Sequence, residues 1–318
     1  MRLATIDVGS NTVRLLVADV LHPARWRLVH QDQTVTRLGE GLAHSGRLGE
    51  APMARTLAAV RAYVERGAGL GARDVHIVAT SAVREAANGR AFAAAIEAAT
   101  GRRVEVVSGE TEARLTLRGV RSALGELTGS MLTFDIGGGS TEYVLAEGDS
   151  IRSMASLRLG VVPLAERFPF PGPVDAPRYR ALCDEIRARL DGELPAAIRT
   201  ARVGHLVGTA GTVTTLAALD LGLVHYDGAR VQGPVLSRPA VHGPASRLGR
   251  LTVAERAALP CLEPGRADLI VPGTAIVTVT MDLARVERLK VSDYGLREGL
   301  LLEAMKGRSR FDTPGGDD

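Results

Sequence analysis

Short apolar runs separated by a glycine-containing turn open the sequence and predict strands. Residues 3–6 form one such run, which ends at Asp7, and residues 13–20 form a second. Because only a tight turn with Gly9 separates the two runs, the pattern predicts a β-hairpin. Apolar and polar residues alternate over 25–30, which predicts a third strand.

From about residue 50 onward, segments with helical apolar spacing alternate with short apolar runs. Three strands followed by alternating helices and strands indicate an α/β layer fold. The sequence predicts helices over 53–67, 89–100 and 110–122, and buried strands over 75–79 and 104–107.

Near residue 130 the same pattern starts again. Residues 222–266 are rich in Gly, Pro and Arg and predict loops and short helices, and we expect disorder over 307–318. The rest of the second half predicts strands over 131–134, 142–146, 151–157, 205–208 and 290–292, and helices over 163–168, 177–198, 212–219, 272–283 and 296–306.

Two segments in equivalent positions of the halves resemble each other. Residues 5–12 read TIDVGSNT and residues 133–141 read TFDIGGGST, so each places an Asp before a Gly-containing turn. A repeat on this scale predicts two similar lobes, one over 1–124 and one over 125–295, with the helix at 296–306 packing back onto the first. Ligands of such folds bind in the cleft where the strand ends converge.

Composition narrows the classes of function. The chain has 318 residues, which favours two domains, and its 45% hydrophobic and 24% charged residues exclude a disordered chain. A formal net charge of +3 is too small to favour a nucleic-acid partner. No apolar run is long enough to span a membrane and no signal peptide opens the chain, so we expect a cytoplasmic protein. The cysteines, Cys183 and Cys261, lack metal-site spacing.

The residue types in the two turns suit phosphate binding. Glycines let the backbone approach a ligand closely, and successive N–H groups form a concave anion site. A plain glycine turn with a capping Asn is the alternative, which the duplication disfavours. The candidate phosphate-binding residues are Asp7, Gly9, Ser10, Asn11, Thr12, Gly137, Gly138, Gly139, Ser140 and Thr141.

Acidic side chains beside these turns predict a cation. Asp7, Asp135 and Glu142 would repel a bare phosphate chain unless a hard cation lay between carboxylate and phosphate oxygens. Mg²⁺ is typically held in this way. The chain has no GxxxxGK[ST] motif and no GxGxxG after the first strand, which disfavours a P-loop NTPase and a Rossmann dehydrogenase.

Nine segments together resemble the exopolyphosphatase/guanosine pentaphosphatase (Ppx/GppA) family of the actin/Hsp70/sugar-kinase superfamily. The match runs from residue 5 to about residue 302, and the order and spacing of the segments make it specific. The resemblance implies two actin-like (ribonuclease H-like) lobes with an interdomain cleft. The segments are IDVGSNTVRLLV (6–17), RLGEGL (37–42), ATSAVREAANG (79–89), VVSGETEARLTLRGV (106–120), FDIGGGSTEYVL (134–145), LRLGVVPLAERF (157–168), GTAGTVTTLA (208–217), PGRADLIVPG (264–273) and VSDYGLREGLL (291–301).

The resemblance also implies a reaction, the hydrolysis of a terminal phosphoanhydride with Mg²⁺ as cofactor. Members of the family release orthophosphate from inorganic polyphosphate or remove the 5′ γ-phosphate of guanosine pentaphosphate. The family's catalytic base corresponds to Glu112, and its phosphate-gripping arginine corresponds to Arg84. From the residues alone, a carboxylate that stabilises a helix N-terminus is the favoured interpretation of Glu112.

Further positions are carried over by the same resemblance. The metal ligands correspond to Asp135 and Glu142, with Asp7 in the equivalent first turn. A homodimer is expected from the resemblance only. The superfamily's further contact with adenosine or phosphate corresponds to Gly208, Gly211 and Thr212.

Several alternatives to an exopolyphosphatase remain open. They are a guanosine pentaphosphate phosphohydrolase, a non-catalytic regulator that binds guanosine tetra- or pentaphosphate, and an ATP-dependent kinase, which the segment at 108–113 disfavours. Pro163 stands where many family members carry Arg, so we expect a weaker grip on a long polyanion. The chain resembles the short two-domain members, so we expect less processive action on long chains.

Overall fold

The computed structural model describes residues 1–22, 25–125 and 127–306. Five strands of the first half form one sheet. The elements of this half are β1 (Arg2–Val8), β2 (Thr12–His22), β3 (Arg25–Val35), α1 (Leu42–Ser45), α2 (Glu50–Gly69), β4 (Asp74–Ala79), α3 (Ser81–Glu85), α4 (Gly89–Thr100), β5 (Val104–Val106) and α5 (Gly109–Leu124). The strand order is β3-β2-β1-β4-β5, with β1 antiparallel to β2 and parallel to β4.

Six strands of the second half form another sheet, in the order β10-β11-β9-β6-β7-β8. A 3₁₀ turn at Pro264–Arg266 precedes its longest apolar helix. The elements are β6 (Ser130–Ile136), β7 (Thr141–Glu147), β8 (Ser150–Leu157), α6 (Val161–Arg167), α7 (Ala176–Glu193), α8 (Ala196–Arg199), β9 (His205–Thr209), α9 (Ala210–Asp220), α10 (Gly228–Val231), β10 (Val235–Ser237), α11 (Arg238–Gly249), α12 (Val253–Ala257), α13 (Ile270–Ala284), β11 (Arg288–Val291) and α14 (Leu296–Ala304).

The two sheets repeat one architecture. The order β8-β7-β6-β9-β11 has the same strand directions as β3-β2-β1-β4-β5, and β10 is an added antiparallel edge. In both sheets a hairpin is followed by parallel strands, so the two Gly-containing turns lie at equivalent strand ends. This confirms the prediction of two similar α/β lobes.

Both faces of the first sheet are covered, which is why β1 is buried along most of its length. Because successive side chains of a strand point to opposite faces, Ala4, Ile6 and Val8 pack with α2 and α4 on one face. Leu3 packs on the other face with Leu301 of α14. The sequence of β1 is therefore mostly apolar, whereas a half-exposed strand would alternate apolar and polar residues.

Two helices connect the halves. α5 packs on the second sheet, where its Ala113 and Leu117 join Val144 and Val207 in one apolar cluster. α14 packs on the first sheet and also against α5. Each helix thus contacts the sheet of the other half, and the division at residue 124 stays a prediction.

The structure departs from the predicted elements in places with clear local causes. The helix predicted over 177–198 is two helices, because Pro195 disfavours helical backbone at Leu194. β3 continues to Val35 through polar residues, since it is an edge strand with an exposed face. The predicted loop region 222–266 contains the twelve-residue helix α11. The tail predicted at 307–318 lies outside the described residues.

The short helices α1 and α3 and the edge strand β10 were not predicted, and α3 places Ser81 beside Gly139 of the second Gly-containing turn. Within the described part of the chain, none of the helices combines the length and the apolarity needed to cross a membrane.

Candidate active site

The two Gly-containing turns contact each other across the gap between the lobes. Gly9 N donates to Thr12 O at 3.1 Å in the first turn, and Gly137 N donates to Ser140 O at 2.9 Å in the second, so both turns have the same tight geometry. A Cβ atom at Gly138 would lie 2.9 Å from Asn11 N. Only glycine permits this approach.

A cavity of about 90 Å³ lies at the contact between the turns. α5, α9, α13 and α14 each begin at this cavity, so the positive ends of four helix dipoles face it. Such an arrangement favours an anion. The predicted residues that line the cavity are Asp7, Gly9, Ser10, Asn11, Thr12, Glu112, Asp135, Gly137, Gly138, Gly139, Ser140, Gly211 and Thr212.

Asp7 and Asp135 occupy equivalent positions at the ends of β1 and β6. Burial raises the pKa of Asp7 to about 6, with a further contribution from the negative charge of Asp135, while Arg14 acts in the opposite direction. The Oδ1 atom of Asp7 is buried and accepts no hydrogen bond from the described residues. Asp135 accepts a hydrogen bond from Thr116 Oγ1 at 3.2 Å, and burial raises its pKa.

Glu142 lies directly behind this pair. It is opposite Asp135 in the β6–β7 register, and its Oε1 accepts a hydrogen bond from Ser156 Oγ at 2.7 Å. Burial, and secondly the charge of Asp135, raise its pKa to about 7. Glu142 does not line the cavity itself, so it reaches a ligand only through a shared ion or a small movement.

Glu112 enters the cavity from the first helical turns of α5, which Ser108 caps by accepting a hydrogen bond from Thr111 N. Its side chain is buried, and Arg84 Nη1 donates to its Oε2 at 3.0 Å. Burial, followed by the charge of Glu142, raises the pKa of Glu112 well above its ordinary value. A carboxylate with a raised pKa is a stronger base, as the activation of water requires.

Several observations fit a hard cation at this site. Four buried carboxyl groups lie close together, those of Asp7, Glu112, Asp135 and Glu142; the charges of neighbouring carboxylates help to raise the pKa of Asp7, Glu112 and Glu142, and Asp7 Oδ1 accepts no hydrogen bond from the described residues. In the described ranges no group of three or more His, Cys, Asp or Glu side chains is close enough to hold a metal alone. Proteins bind Mg²⁺ through one or two carboxylates while phosphate oxygens and water complete the shell, so a pair of these carboxyl groups would suffice.

Two arginines that line the cavity, Arg14 and Arg266, were not among the site residues predicted from the sequence. Arg14 pairs with Asp7 in the β1–β2 register, the position that Glu142 occupies in the other lobe. Arg266 Nη2 donates to Thr12 Oγ1 at 3.3 Å, and burial, together with the positive charge of Arg14, lowers its pKa to about 10. Because arginine is frequent along this chain, neither residue stands out in the sequence. The one available signal is the repeat, in which Arg14 occupies the position that corresponds to Glu142.

Not every predicted residue reaches the cavity. The hydroxyl of Thr141 donates to Leu159 O at 2.5 Å at the base of the turn. Gly208 lies inside β9, where a Cβ atom would come within 2.8 Å of Phe134. Neither residue lines the cavity, and their assignment to phosphate binding stays a prediction. Arg84 lies behind Glu112, outside the cavity lining.

Known proteins resemble this chain over nearly its whole length. A model of the Ppx/GppA phosphatase family matches residues 17–308. Exopolyphosphatase 2 of Mycobacterium tuberculosis is 35% identical over 317 residues, which cover 95% of this chain and 98% of that protein. Exopolyphosphatase 1 of Mycobacterium bovis is 28% identical, with 96% of this chain and 88% of that protein covered.

Solved structures agree with the sequence comparison. An exopolyphosphatase from Cytophaga hutchinsonii superposes with a TM-score of 0.90 at 28% identity, covering 96% of this chain and 98% of that one. The Aquifex aeolicus member of the Ppx/GppA family superposes with a TM-score of 0.81 at 30% identity, covering 98% and 99%. With two actin-like lobes and a site between their turns, this chain belongs to the Ppx/GppA phosphatase family and is a phosphoanhydride hydrolase.

Proposed function

We propose that this protein is a Mg²⁺-dependent exopolyphosphatase, which releases terminal orthophosphate from inorganic polyphosphate. The observation that carries the proposal is the placement of Glu112 in the cavity that both Gly-containing turns line. The names of the relatives from Mycobacterium and Cytophaga support polyphosphate as the substrate.

Backbone N–H groups of the turns at 10–12 and 138–140, together with the helix N-termini, would bind the terminal phosphate. Two of the carboxylates of Asp7, Asp135 and Glu142 would hold Mg²⁺, which when bound supplies positive charge to the phosphate oxygens. Glu112 takes a proton from the attacking water as the new P–O bond forms. The bond to the bridging oxygen breaks, and the chain leaves one phosphate shorter.

Arg84 is engaged by Glu112 at 3.0 Å and by Val107 O at 2.8 Å. We therefore assign it to holding the Glu112 carboxylate in place. The remaining chain would extend into an adjoining cavity of about 490 Å³, which shares Arg14 and Arg266 with the first cavity and adds Arg297. Guanidinium groups are suited to bind successive phosphates.

The first test is phosphate release by the purified protein and by Glu112→Gln with Mg²⁺, on short polyphosphate, long polyphosphate and guanosine pentaphosphate. Loss of a general base costs on the order of 100-fold or more in rate, so we expect the variant to lose nearly all release from polyphosphate while it stays folded. Glu110→Gln is the matched control, because Glu110 is an exposed residue of the same helical turn.

Wild-type turnover by Glu112→Gln would remove Glu112 from this role. Faster release from guanosine pentaphosphate than from either polyphosphate would favour the second candidate, a guanosine pentaphosphate phosphohydrolase. That candidate is favoured by Val224 and Tyr226, which border the arginine-lined cavity and could contact a nucleoside. Tight nucleotide binding without any release would indicate a non-catalytic regulator.

The same proposal includes a homodimer, which the resemblance supports, and a cytoplasmic location, which is expected from the sequence. A molecular mass near twice that of the chain in light scattering would agree with it, and a monomer at the concentrations of the assay would contradict it.

A further inference from the structure

The short segment at 36–39, which follows β3, holds the first Gly-containing turn in place. Thr36 N and Arg37 N both donate to Asn11 O, at 2.9 and 3.0 Å, and Gly39 N donates to Ser10 O at 2.7 Å. Arg37 adopts a left-handed backbone conformation with φ of 51°. Such a conformation is unfavourable for a residue with a side chain, so neighbouring contacts must maintain it.

The side chain of Arg37 crosses to the other lobe. Its Nη1 and Nη2 atoms donate to the two carboxylate oxygens of Asp268 at 2.9 and 2.8 Å, and Nη2 also donates to Gly265 O at 3.1 Å. Two parallel charge-assisted hydrogen bonds fix the relative orientation of the groups as well as their distance. The partners are 231 positions apart in sequence.

Further contacts between the lobes surround this pair. Gln33 Nε2 donates to Glu263 Oε2 at 2.9 Å, and Arg266 donates to Thr12 at 3.3 Å. A Cβ atom at Gly265 would lie 2.9 Å from Cγ1 of Val35, so the backbone of Gly265 packs closely on the Val35 side chain. Neither Arg37 nor Asp268 lines the catalytic cavity.

We propose that Arg37 and Asp268 are positioning residues that form a latch between the lobes. When the latch is closed, Asp268 fixes Arg37, and the backbone of Arg37 holds Asn11 in the turn that binds the terminal phosphate. The same closure brings Arg266 to Thr12. Opening of the lobes would break the pair and release the turn, so substrate affinity depends on a contact outside the site.

The test compares Asp268→Asn with the wild type. We expect the amides of Arg37 and Gly39 to exchange hydrogen roughly 5-fold faster, which corresponds to about 1 kcal/mol, with the increase confined to the segment at 36–39 and to the turn. We also expect KM for polyphosphate to rise by a similar factor while kcat stays within about 2-fold. The kinetic arm rests on the proposed function, whereas the exchange arm does not.

Glu193→Gln is the matched control. Glu193 forms a bidentate pair with Arg189 at 2.7 and 3.2 Å, with comparable exposure of the two side chains, but both residues lie in α7. Glu193→Gln should change neither the amide hydrogen exchange at 36–39 nor KM for polyphosphate. A global loss of stability would instead accelerate exchange throughout the chain.

Charge exchange provides a second measurement. Arg37→Asp and Asp268→Arg alone place like charges together, and each should raise KM and local exchange, while the double variant should recover part of both losses. The proposal is overturned if the amides at 36–39 of Asp268→Asn exchange at the same rate as those of Glu193→Gln. It is also overturned if the increases in KM and in local exchange of the double variant equal the sums of the increases in the two single variants. An absence of phosphate release by the wild type would refute the proposed function and leave the exchange result decisive for the latch.

Discussion

At the scale of single residues, the site is a balance of buried charges. Asp7 and Glu142 have pKa values raised to about 6 and about 7, since burial penalises their ionised forms and neighbouring carboxylates repel them. A raised pKa means that the folded state binds protons more tightly than the unfolded state does. The stabilisation is therefore complete below the ordinary carboxyl pKa and is lost as pH rises through the folded-state values.

This sign leads to a pH prediction. Without divalent cations, the free energy of unfolding should fall between about pH 4 and about pH 7, and Mg²⁺ should oppose the fall because the ionised carboxylates bind it. Urea unfolding at several pH values, with and without Mg²⁺, measures this. Glu142→Gln removes one titrating group and should flatten the dependence. An equally steep profile in Glu142→Gln would contradict the contribution of Glu142.

At the scale of elements, glycines set how closely the turns and helices approach. The second turn is supported from behind by the start of α6, where Val161 N and Val162 N donate to Gly137 O and Gly138 O. A Cβ atom at Gly160 would overlap the backbone of Gly138 and Gly139. The position of the turn therefore depends on a glycine that does not line the cavity.

Gly160→Ala tests this support. The added methyl group must push the turn toward the first lobe, and a displacement of about 1 Å in a reacting geometry can reduce the rate by on the order of 100-fold. We expect such a loss in phosphate release with the circular dichroism spectrum unchanged. Gly192→Ala is the control, because Gly192 lies in α7 with open space around it. Equal activities of the two variants would show that the turn accommodates the methyl group.

At the scale of the whole molecule, the crossing of α5 and α14 is a second connection between the lobes. A Cβ atom at Gly119 of α5 would overlap Gly295 O, and one at Gly299 of α14 would overlap Leu115 O. The helix backbones are therefore in direct contact. This crossing is suited to act as the pivot for closure, since each helix packs on the sheet of the other half.

Gly119→Ala should separate these helices and loosen both lobes. Overpacking of this kind costs about 1–3 kcal/mol, which we expect as a lower free energy of unfolding in urea titration. Gly69→Ala, at the end of α2 with nothing near the added atom, should change stability by a few tenths of a kcal/mol at most. A Gly119→Ala protein as stable as the Gly69→Ala protein would contradict a rigid pivot.

The sequence by itself determined the features that depend on local backbone chemistry. The apolar periodicity predicted two α/β lobes, and the repeated Asp and glycine pattern predicted both turns, because tight turns and buried strands require those residue types in that order. The site around Asp7, Asp135 and Glu112 could be predicted from the repeat and from the family resemblance.

Only the tertiary structure decided which side chains complete the site. Arg14 and Arg266 reach the cavity because β2 and the segment before α13 meet there, and the hydroxyl of Thr141 donates instead to the carbonyl group of Leu159. The pairing of Arg37 with Asp268 likewise has no local signature. Contacts between residues far apart in sequence depend on how the lobes pack, which no spacing along the chain encodes.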